Sequence, residues 1–529
     1  MSYVRPKELP LRSVRYSSPV AMRPETNGCQ RRNVPRFMLI GAGPFAQKTY
    51  IPYLKSLEED GRARLMAVVE VHGMEETVRE VTHHDFPDIH SLFVPAFTAS
   101  IPRVTYNRLS EVVAQLHIDC VIISTEPLAH TAYGLWALQQ GLNVIMDKPI
   151  STRKGACTDP NAALGIADDY KNLLSAYEKL QQRKRTCYLV QSHRRYHPGF
   201  HFLLHKIRQL QKSTLCPITS LNSSHCDGMW RMPHEIVGQE YHTFKNGYGK
   251  LSHSGYHLLD VSSKFMRSSW GGGQDPTKIP NKLEVISSFI TPGGFYTALN
   301  RSDYERIFGV EYVRRQDYSD DELWRLMDGM GEIDCGILMT AYHDDRPICL
   351  VQLNLLHTGF SRRSSVQTGS DLYRGVGRVK HESHDIKCGP FQTIVAESRK
   401  SSDKGVSSHL PSSSIGGEDH FDVNIFQNNG LLGNEDPVIQ SYTMDDILRL
   451  YPAMLGDTSE KVKRGVLEES LDFMSGKVNV DGLASNLPDH ALPAYIMSAA
   501  YLSHVRKTMG QNPAVTIELD DDCQHLTIV

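Results

Sequence analysis

A glycine-containing turn near the start of the chain has the residue types needed to hold the pyrophosphate of a nucleotide. It follows an apolar run at residues 37–40 and has the pattern G-x-G-x-x-A, which includes Gly41, Gly43, Pro44, Phe45 and Ala46. Gly41 permits a sharp exit from a strand, and Gly43 leaves no Cβ between the backbone and the phosphates. A simple turn can carry the same letters, so the pattern depends on its surroundings.

An acidic residue after the next apolar run supports the nucleotide interpretation. Glu70 ends the run at residues 65–70, which has the composition of a second buried strand. A carboxylate at this position binds both ribose hydroxyls of NAD and repels the 2′-phosphate of NADP. We therefore expect NAD as the cofactor, in preference to NADP. The alternative is a solvated acid at the end of a strand.

The elements that would position these residues alternate regularly. Strand-like runs at residues 120–123, 143–146 and 187–190 are separated by stretches with helical periodicity. This alternation predicts an α/β protein whose N-terminal domain, residues 36–192, is a Rossmann fold with a doubly wound parallel sheet. Residues 1–35 are basic and interrupted by prolines, which indicates a disordered tail.

The remainder of the chain, residues 193–529, has a different texture. Its strand-like runs follow one another without regular helices between them, at residues 283–290, 336–341 and 348–355. We expect an α+β domain with a large, mainly antiparallel sheet that serves substrate binding and oligomerisation. Residues 401–415 are rich in Ser, Pro and Gly, which indicates a flexible insertion.

Composition narrows the function classes. A formal net charge of -3 gives no field that would attract nucleic acid, and no apolar run is long enough to cross a membrane. The 10 cysteines are scattered, without a C-x-x-C pair, as in a reduced, cytoplasmic protein. His201 and His205 share a helical face but have no evident carboxylate or cysteine partner, so we expect no metal.

Two strand-end motifs resemble those of the Gfo/Idh/MocA oxidoreductase family. In that family one strand ends in an A-T-P-like turn followed by N-x-x-H, and the next strand ends in E-K-P. The corresponding residues here are Ser124, Thr125, Glu126 and His130, then Asp147, Lys148 and Pro149. The resemblance implies that these two turns line the cofactor site.

Later motifs continue the resemblance in the family's order. Arg195 and Tyr196 begin an R-[FYW]-x-P-like segment, and Trp230 and Arg231 form a W-R element. Residues 249–260 resemble G-x-L-x-D-x-G-x-H-x-x-D, except that His253 stands where the family has its acid. The motifs span residues 37–260, and the rest of the chain fits only loosely.

Lys148 and His257 are the candidate catalytic residues. Hydride transfer from a carbinol carbon requires removal of the hydroxyl proton and stabilisation of charge on the oxygen. Lys148 could hold that oxygen, and His257 could accept the proton as a neutral imidazole. The resemblance implies the same roles. The alternatives are a surface lysine before a turn proline and a histidine satisfied by a backbone carbonyl.

Other polar residues complete the predicted site. His253 is a candidate second acid/base group, or alternatively it repels the proton of His257. A polar and aromatic wall for substrate is formed by Arg195, Tyr196, Trp230, Arg231 and Asp260. Each of these could equally be packed at a domain interface, and Asp260 could orient His257 or form a structural ion pair.

The predicted function is that of an NAD(P)-dependent oxidoreductase. It would transfer a hydride between nicotinamide and a secondary hydroxyl or carbonyl of a sugar, sugar acid or cyclitol. Two alternatives use the same fold: an NAD-dependent glycosidase acting by transient oxidation, and a non-catalytic nucleotide-sensing regulator. We expect a small carbohydrate-like partner and neither nucleic acid nor membrane binding; the resemblance implies a homo-oligomer.

Overall fold

The computed structural model describes most of the chain. The described residues are 34–270, 275–310, 312, 317–361, 378–402, 420–452, 459–520 and 522–529. The predicted tail lies outside them apart from residues 34 and 35. Of the predicted insertion at 401–415, the first two residues end a strand and the others lie outside the described residues.

Six strands form the first sheet. They are β1 Arg36–Ile40, β2 Arg64–Val71, β3 His90–Val94, β4 Cys120–Ile123, β5 Asn143–Met146 and β6 Tyr188–Val190. All pairs are parallel, in the order β3-β2-β1-β4-β5-β6. The predicted doubly wound sheet is confirmed. Because the winding reverses between β1 and β4, their carboxyl ends flank a crevice where such folds bind ligands.

Helices cover both faces of this sheet, which explains why its strands are apolar throughout. They are α1 Pro44–Lys48, α2 Tyr50–Glu59, α3 Glu75–Thr82, α4 Arg103–Leu116, α5 His130–Gln139 and α6 Pro160–Gln181. The sequence interpretation missed β3 and α3, whose short segments lack a continuous apolar run.

Ten strands form the second sheet. They are β7 Ser220–Cys226, β8 Lys282–Ile290, β9 Asp334–His343, β10 Arg346–Leu356, β11 Arg378–Cys388, β12 Gln392–Ser402, β13 His420–Gln427, β14 Ile439–Tyr442, β15 Val515–Glu518 and β16 Thr527–Ile528. Their order is β14-β13-β12-β11-β7-β10-β9-β8-β15-β16. Among the strands that the structure describes, only β7 and β10 pair in parallel, so the prediction of a mainly antiparallel sheet is confirmed.

The longer helices of the second part pack on this sheet or on the first domain, and short helices form two smaller apolar clusters of their own. They are α7 Pro198–Thr214, α8 Pro233–Gly238, α9 Tyr256–Trp270, α10 Pro292–Ala298, α11 Arg301–Phe308, α12 Asp320–Met327, α13 Asn429–Leu432, α14 Met444–Leu450, α15 Ser459–Met474 and α16 Ala491–Thr508. Helix α16 contacts α6, α9 and β8, which joins the two sheets through one continuous core. None of the helices in the described ranges has the length and apolarity of a membrane span.

Helix α15 returns to the first domain. Its Val466, Leu467 and Leu471 lie in the same apolar cluster as Phe37 and Leu39 of β1. The cluster lies on the face of the first sheet that also carries α2. A segment almost three hundred residues beyond β6 therefore covers part of the N-terminal sheet.

Candidate functional site

The glycine turn lies at the carboxyl end of β1, in the crevice beside β4. Gly41 has φ of +91°, and a Cβ on it would lie 2.4 Å from the backbone oxygen of Ser124. Both the left-handed backbone and the close approach to β4 therefore require glycine at this position. The absence of a side chain at Gly41 allows the turn to pack against the end of β4.

The other side of the turn is open. A Cβ on Gly43 would meet no described atom within 4 Å. No side chain caps α1, which begins at Pro44, a residue without an N–H to satisfy. The turn therefore offers room and backbone donors of the kind that a pyrophosphate takes, and its residues fit a dinucleotide.

Glu70 is fixed next to this turn. Its Oε2 accepts a hydrogen bond of 2.7 Å from the Ala42 amide, and its Oε1 accepts one of 2.8 Å from the Val71 amide. The carboxylate is half-buried and stays at the edge of the crevice. Beyond holding the turn, it can accept hydrogen bonds from ribose hydroxyls, as the sequence predicts.

The end of β4 is tied to the end of β5 through Asp147. The Asp147 carboxylate accepts hydrogen bonds of 2.6 Å from both Ser124 Oγ and Tyr50 OH. Burial raises the pKa of Asp147 to about 6, against the hydrogen bonds from Ser124 and Tyr50 and the charge of Lys148, which lower it. Ser124 and Asp147 thus fix the backbone that precedes Lys148.

His130 and Glu126 join the same two turns in other ways. His130 is fully buried, and its ring nitrogens lie 2.8 Å from the Pro149 carbonyl oxygen and 3.2 Å from that of Thr125. Glu126 accepts a hydrogen bond from Tyr248 of the second domain. The structure thus gives His130 a positioning role between Thr125 and Pro149, whereas cofactor contact by these side chains stays a prediction.

Lys148 follows β5 and reaches toward the second domain. Its side chain is half-buried, and Nζ donates a hydrogen bond of 2.5 Å to the backbone oxygen of His253. Burial, with the charges of Arg194 and Lys250, outweighs the charges of Asp147 and Asp227 and lowers the pKa of Lys148 to about 8. The amine therefore loses its proton near the upper end of the physiological pH range.

His253 and His257 lie on a helix that begins with an unusual turn. Residues Leu251–Gly255 form a π-helical turn directly before α9, and such turns are frequent at functional sites. The His253 ring packs against His242, Phe244 and Tyr248, all from the segment just before this turn. The backbone of His253 faces Lys148, and its side chain faces this aromatic and histidine layer.

His257 is buried and neutral. Its ring packs edge-on against His193, with 4.2 Å between ring centroids, and its Nδ1 has no hydrogen-bond partner among the described residues. Burial, followed by the proximity of His193, Arg194 and Lys148, lowers the pKa of His257 well below its ordinary value. A neutral imidazole with an unsatisfied nitrogen can accept a proton or a hydrogen bond from a ligand.

Arg195 and Asp260 are brought together, and they satisfy each other. Arg195 Nη2 lies 2.5 Å from Asp260 Oδ1, and both side chains are almost fully buried. The carboxylate also accepts a hydrogen bond from Ser192. Burial opposes ionisation of Asp260, but the charge of Arg195 outweighs it and holds the pKa of Asp260 well below its ordinary range. The two side chains thus form the ion pair that the sequence left as an alternative, and substrate contact by Arg195 or Asp260 stays a prediction.

Tyr196, Trp230 and Arg231 lie in different surroundings. The Tyr196 hydroxyl donates a 2.7 Å hydrogen bond to Glu469 of α15. The Trp230 ring stacks on Tyr304 of α11, with centroids 6.1 Å apart. The Arg231 side chain is buried, and its charge is among those that lower the pKa of His242 and His357, after burial itself. Of this group, Arg231 is linked to the region of His253, since its charge acts on His242 and the His242 ring packs on His253.

Sequence reasoning missed a buried ionic cluster beside Lys148. Lys250 Nζ donates to Asp227 Oδ2 at 2.7 Å and lies 2.9 Å from His225 Nδ1. His357 Nδ1 lies 3.6 Å from the same Asp227 oxygen. Burial opposes ionisation of Asp227. The charge of Lys250 is the largest of the effects that outweigh burial and hold the pKa of Asp227 well below its ordinary value. Lys250 lies within the 249–260 motif, so the sequence alone could have indicated it. Its neighbours Asp227, His225 and His357 lie at the ends of strands whose adjacency the sequence does not reveal.

The described residues contain no arrangement of three or more His, Cys, Asp or Glu side chains that could hold a metal ion. Of the histidine pair considered from the sequence, His201 places Nε2 2.7 Å from the Arg195 carbonyl oxygen, and His205 is exposed. Lys148 and His257 are groups beside the nucleotide crevice whose chemistry suits proton transfer and hydrogen bonding.

Comparisons with known proteins concern the N-terminal part of the chain and the overall fold. Residues 35–176 match the Oxidoreductase family, NAD-binding Rossmann fold, the GFO_IDH_MocA model. The resemblance inferred from the motifs and the prediction of an NAD-type cofactor are confirmed by this match, which covers the N-terminal domain except for the end of α6 and β6. None of the curated proteins compared with the chain matches it.

Solved structures with the same overall fold include two oxidoreductases. One, from Agrobacterium radiobacter, was solved in complex with NAD+, L-tartaric acid and magnesium; it is 12% identical, with a TM-score of 0.51, over 92% of this chain and 98% of that chain. The other, aldose-aldose oxidoreductase from Caulobacter crescentus complexed with glycerol, is 11% identical, with a TM-score of 0.52, over 92% of this chain and 99% of that chain. At these identities the likeness shows the fold alone.

Proposed function

Since the N-terminal domain matches the Gfo/Idh/MocA oxidoreductases, we propose that the protein transfers a hydride between a nicotinamide cofactor and a secondary hydroxyl or carbonyl carbon of a sugar, sugar acid or cyclitol. One observation carries the proposal. Lys148, at the end of a Rossmann strand, is hydrogen-bonded to the segment of the second domain that carries His257. The charge of Lys148 is also among those that lower the pKa of His257, which supports a joint role for the two side chains beside the nucleotide crevice.

The cofactor residues follow from the open turn. Gly41 and Gly43 would accommodate the pyrophosphate, and Glu70 would bind the ribose hydroxyls and disfavour NADP. Ser124 and Thr125, across the crevice, would line the path of the dinucleotide toward Lys148. When bound, the nicotinamide supplies the hydride acceptor or donor, and the residues of the chain supply the proton chemistry.

Lys148 and His257 would divide the proton chemistry between them. In the oxidative direction, neutral His257 would take the hydroxyl proton from the substrate. The Lys148 ammonium would donate a hydrogen bond to the same oxygen and stabilise its developing negative charge. In the reductive direction the protonated imidazole would return the proton. Burial favours this assignment, because it keeps His257 neutral while Lys148 retains its charge below about pH 8.

The test compares Lys148→Met with Lys171→Met, an exposed lysine on α6. Both are assayed with NAD and NADP against a panel of sugars, sugar acids and inositols, and NADH binding is measured by fluorescence titration. We expect Lys148→Met to lower turnover by at least about 10²-fold and to change NADH affinity by less than about threefold. Lys171→Met should match the wild type.

Two results would contradict the proposal. Full turnover by Lys148→Met would remove Lys148 from the chemistry. Cofactor binding by the wild type without turnover of any compound in the panel would contradict an oxidoreductase activity of the proposed class.

A further inference from the structure

A cavity beside His257 has two lysines in an unusual arrangement. Lys380 of β11 and Lys400 of β12 are directly opposite in the antiparallel register, and both line the cavity. Like charges directly opposite each other on neighbouring strands repel. The next pair on the same face is Glu382 opposite Ser398, which also line the cavity. We refer to this space as the β11–β12 cavity.

The acid of the cavity is already engaged. Glu382 Oε1 accepts a 2.8 Å hydrogen bond from Arg194 Nε and lies 3.3 Å from His384 Nε2. Burial opposes ionisation of Glu382, but the charge of Arg194 outweighs it and holds the pKa of Glu382 well below its ordinary value. Glu382 therefore pairs with Arg194 and forms no ion pair with Lys380, although its charge raises the pKa of Lys380 and so opposes the effect of burial.

Lys380 has no hydrogen bond or ion pair within the described part of the chain, although it is half-buried. The other nearby acid, Asp227, is paired with Lys250. Burial and the charges of Arg194 and Arg378 lower the pKa of Lys380 well below its ordinary value. An anion in the cavity would supply the missing counter-charge and favour the ammonium form.

The cavity adjoins the proposed catalytic residues. His193 lines it and packs directly on His257. Arg194 also lines the cavity, and its charge lowers the pKa of Lys148. The charge of Lys380 likewise lowers the pKa of His257. A substrate with its reacting carbon at Lys148 and His257 would thus have the β11–β12 cavity as its neighbouring subsite.

We propose that the β11–β12 cavity binds an anionic group of the substrate, a carboxylate or a phosphate, between Lys380 and Lys400. This inference rests on the proposed function for the position of the reacting carbon and narrows its substrate class to acidic carbohydrate derivatives. Ser398 supplies a neutral hydrogen-bond donor on the same face. Lys380 and Lys400 are then specificity residues, separate from Lys148 and His257.

The test measures anion binding without turnover. The NADH-loaded protein is titrated calorimetrically with inorganic phosphate and, separately, with tartrate as a carboxylate probe. The proteins are the wild type, Lys380→Met, Lys400→Met and the control Lys171→Met. We expect saturable binding of at least one anion, weakened about tenfold or more in both cavity variants and unchanged in the control. Preference for tartrate identifies a carboxylate subsite, and preference for phosphate a phosphate subsite.

A second readout follows the protonation of Lys380. Because an anion favours the ammonium form of Lys380, any proton uptake on binding, seen as a dependence of the binding heat on the ionisation enthalpy of the buffer, should be lost in Lys380→Met. Absence of anion binding in folded wild type, or equal anion affinity in all four proteins, would overturn the subsite. Because no step requires turnover, that failure is separate from a failure of the oxidoreductase activity, which the Lys148→Met assay reports.

Discussion

Lys148 donates its hydrogen bond to the backbone oxygen of His253, not to the imidazole. The contact joins the end of a Rossmann strand to the π-helical turn of the second domain. It fixes the amine without neutralising it, because a carbonyl oxygen has no formal charge. The contact that positions Lys148 therefore does not depend on the side chain at residue 253.

The pH dependence of turnover should report this lysine. Burial depresses the pKa of Lys148 to about 8, so the ammonium is present below that pH and lost above it. For the oxidative reaction, kcat/KM should be level below about pH 8 and fall about tenfold per pH unit above it. A profile still level at pH 10 would show that the charge of Lys148 is not used.

Substitution of His253 should shift the pH above which kcat/KM falls. His253→Asp places a carboxylate near Lys148, which favours the ammonium and should raise the apparent pKa by about one unit. His253→Asn, which is similar in size to the Asp variant and has no charge, should leave that apparent pKa unchanged. Both are measured as kcat/KM against pH. Equal profiles for the two variants would contradict the electrostatic coupling.

His257 should contribute mainly to turnover. Because its imidazole is neutral and buried beside Lys148, replacement by Gln should lower kcat by about 10²-fold to 10⁴-fold and leave NADH affinity nearly unchanged. His205→Gln, on the exposed side of α7, is the matched control. Steady-state kinetics and a fluorescence titration separate the two effects, and a purely structural histidine would instead lower both the melting temperature and the cofactor affinity.

Glu70 should set the choice of cofactor. Glu70→Gln retains an oxygen that can accept from the Ala42 amide but removes the charge that repels a 2′-phosphate. The ratio of kcat/KM for NAD to that for NADP should fall about tenfold or more. Glu76→Gln, an exposed acid on α3, provides the control. An unchanged ratio would leave Glu70 with only its structural contact.

The Arg195–Asp260 pair should act on stability. Removal of one partner leaves a buried charge, so Arg195→Met should lower the free energy of unfolding by about 3 to 5 kcal/mol. The double variant Arg195→Met, Asp260→Leu should recover part of that loss in urea denaturation. If the recovered double variant showed a KM raised by more than about tenfold, Arg195 would instead contact substrate.

The sequence predicted the first sheet better than the second for a physical reason. Its parallel strands are buried on both faces, so they read as continuous apolar runs, and β4 and β5 have the predicted limits. In the second sheet, β7 and β11 carry alternating polar residues that gave no such run. The short helices α10 to α12 were missed for the same lack of a long periodic stretch.

The candidate site was predictable where its residues follow local motifs. Lys148 and His257 were found because each lies in a recognisable segment, and the structure brings both to one region. Asp227, Lys380 and Glu382 were missed, because their importance arises from pairing between β7 and β11, which are distant in sequence. The sequence could not decide whether Arg195 contacts substrate or forms an ion pair with Asp260, because the two roles differ only in how the side chains are buried in the fold.

The return of α15 to the first sheet has a consequence for biosynthesis. A ribosome that has translated as far as β6 has supplied every strand of the Rossmann sheet, but not Val466, Leu467 and Leu471, which cover part of one face. The nascent domain therefore retains an exposed apolar surface until most of the polypeptide has emerged. We expect chaperones to bind that surface during this interval.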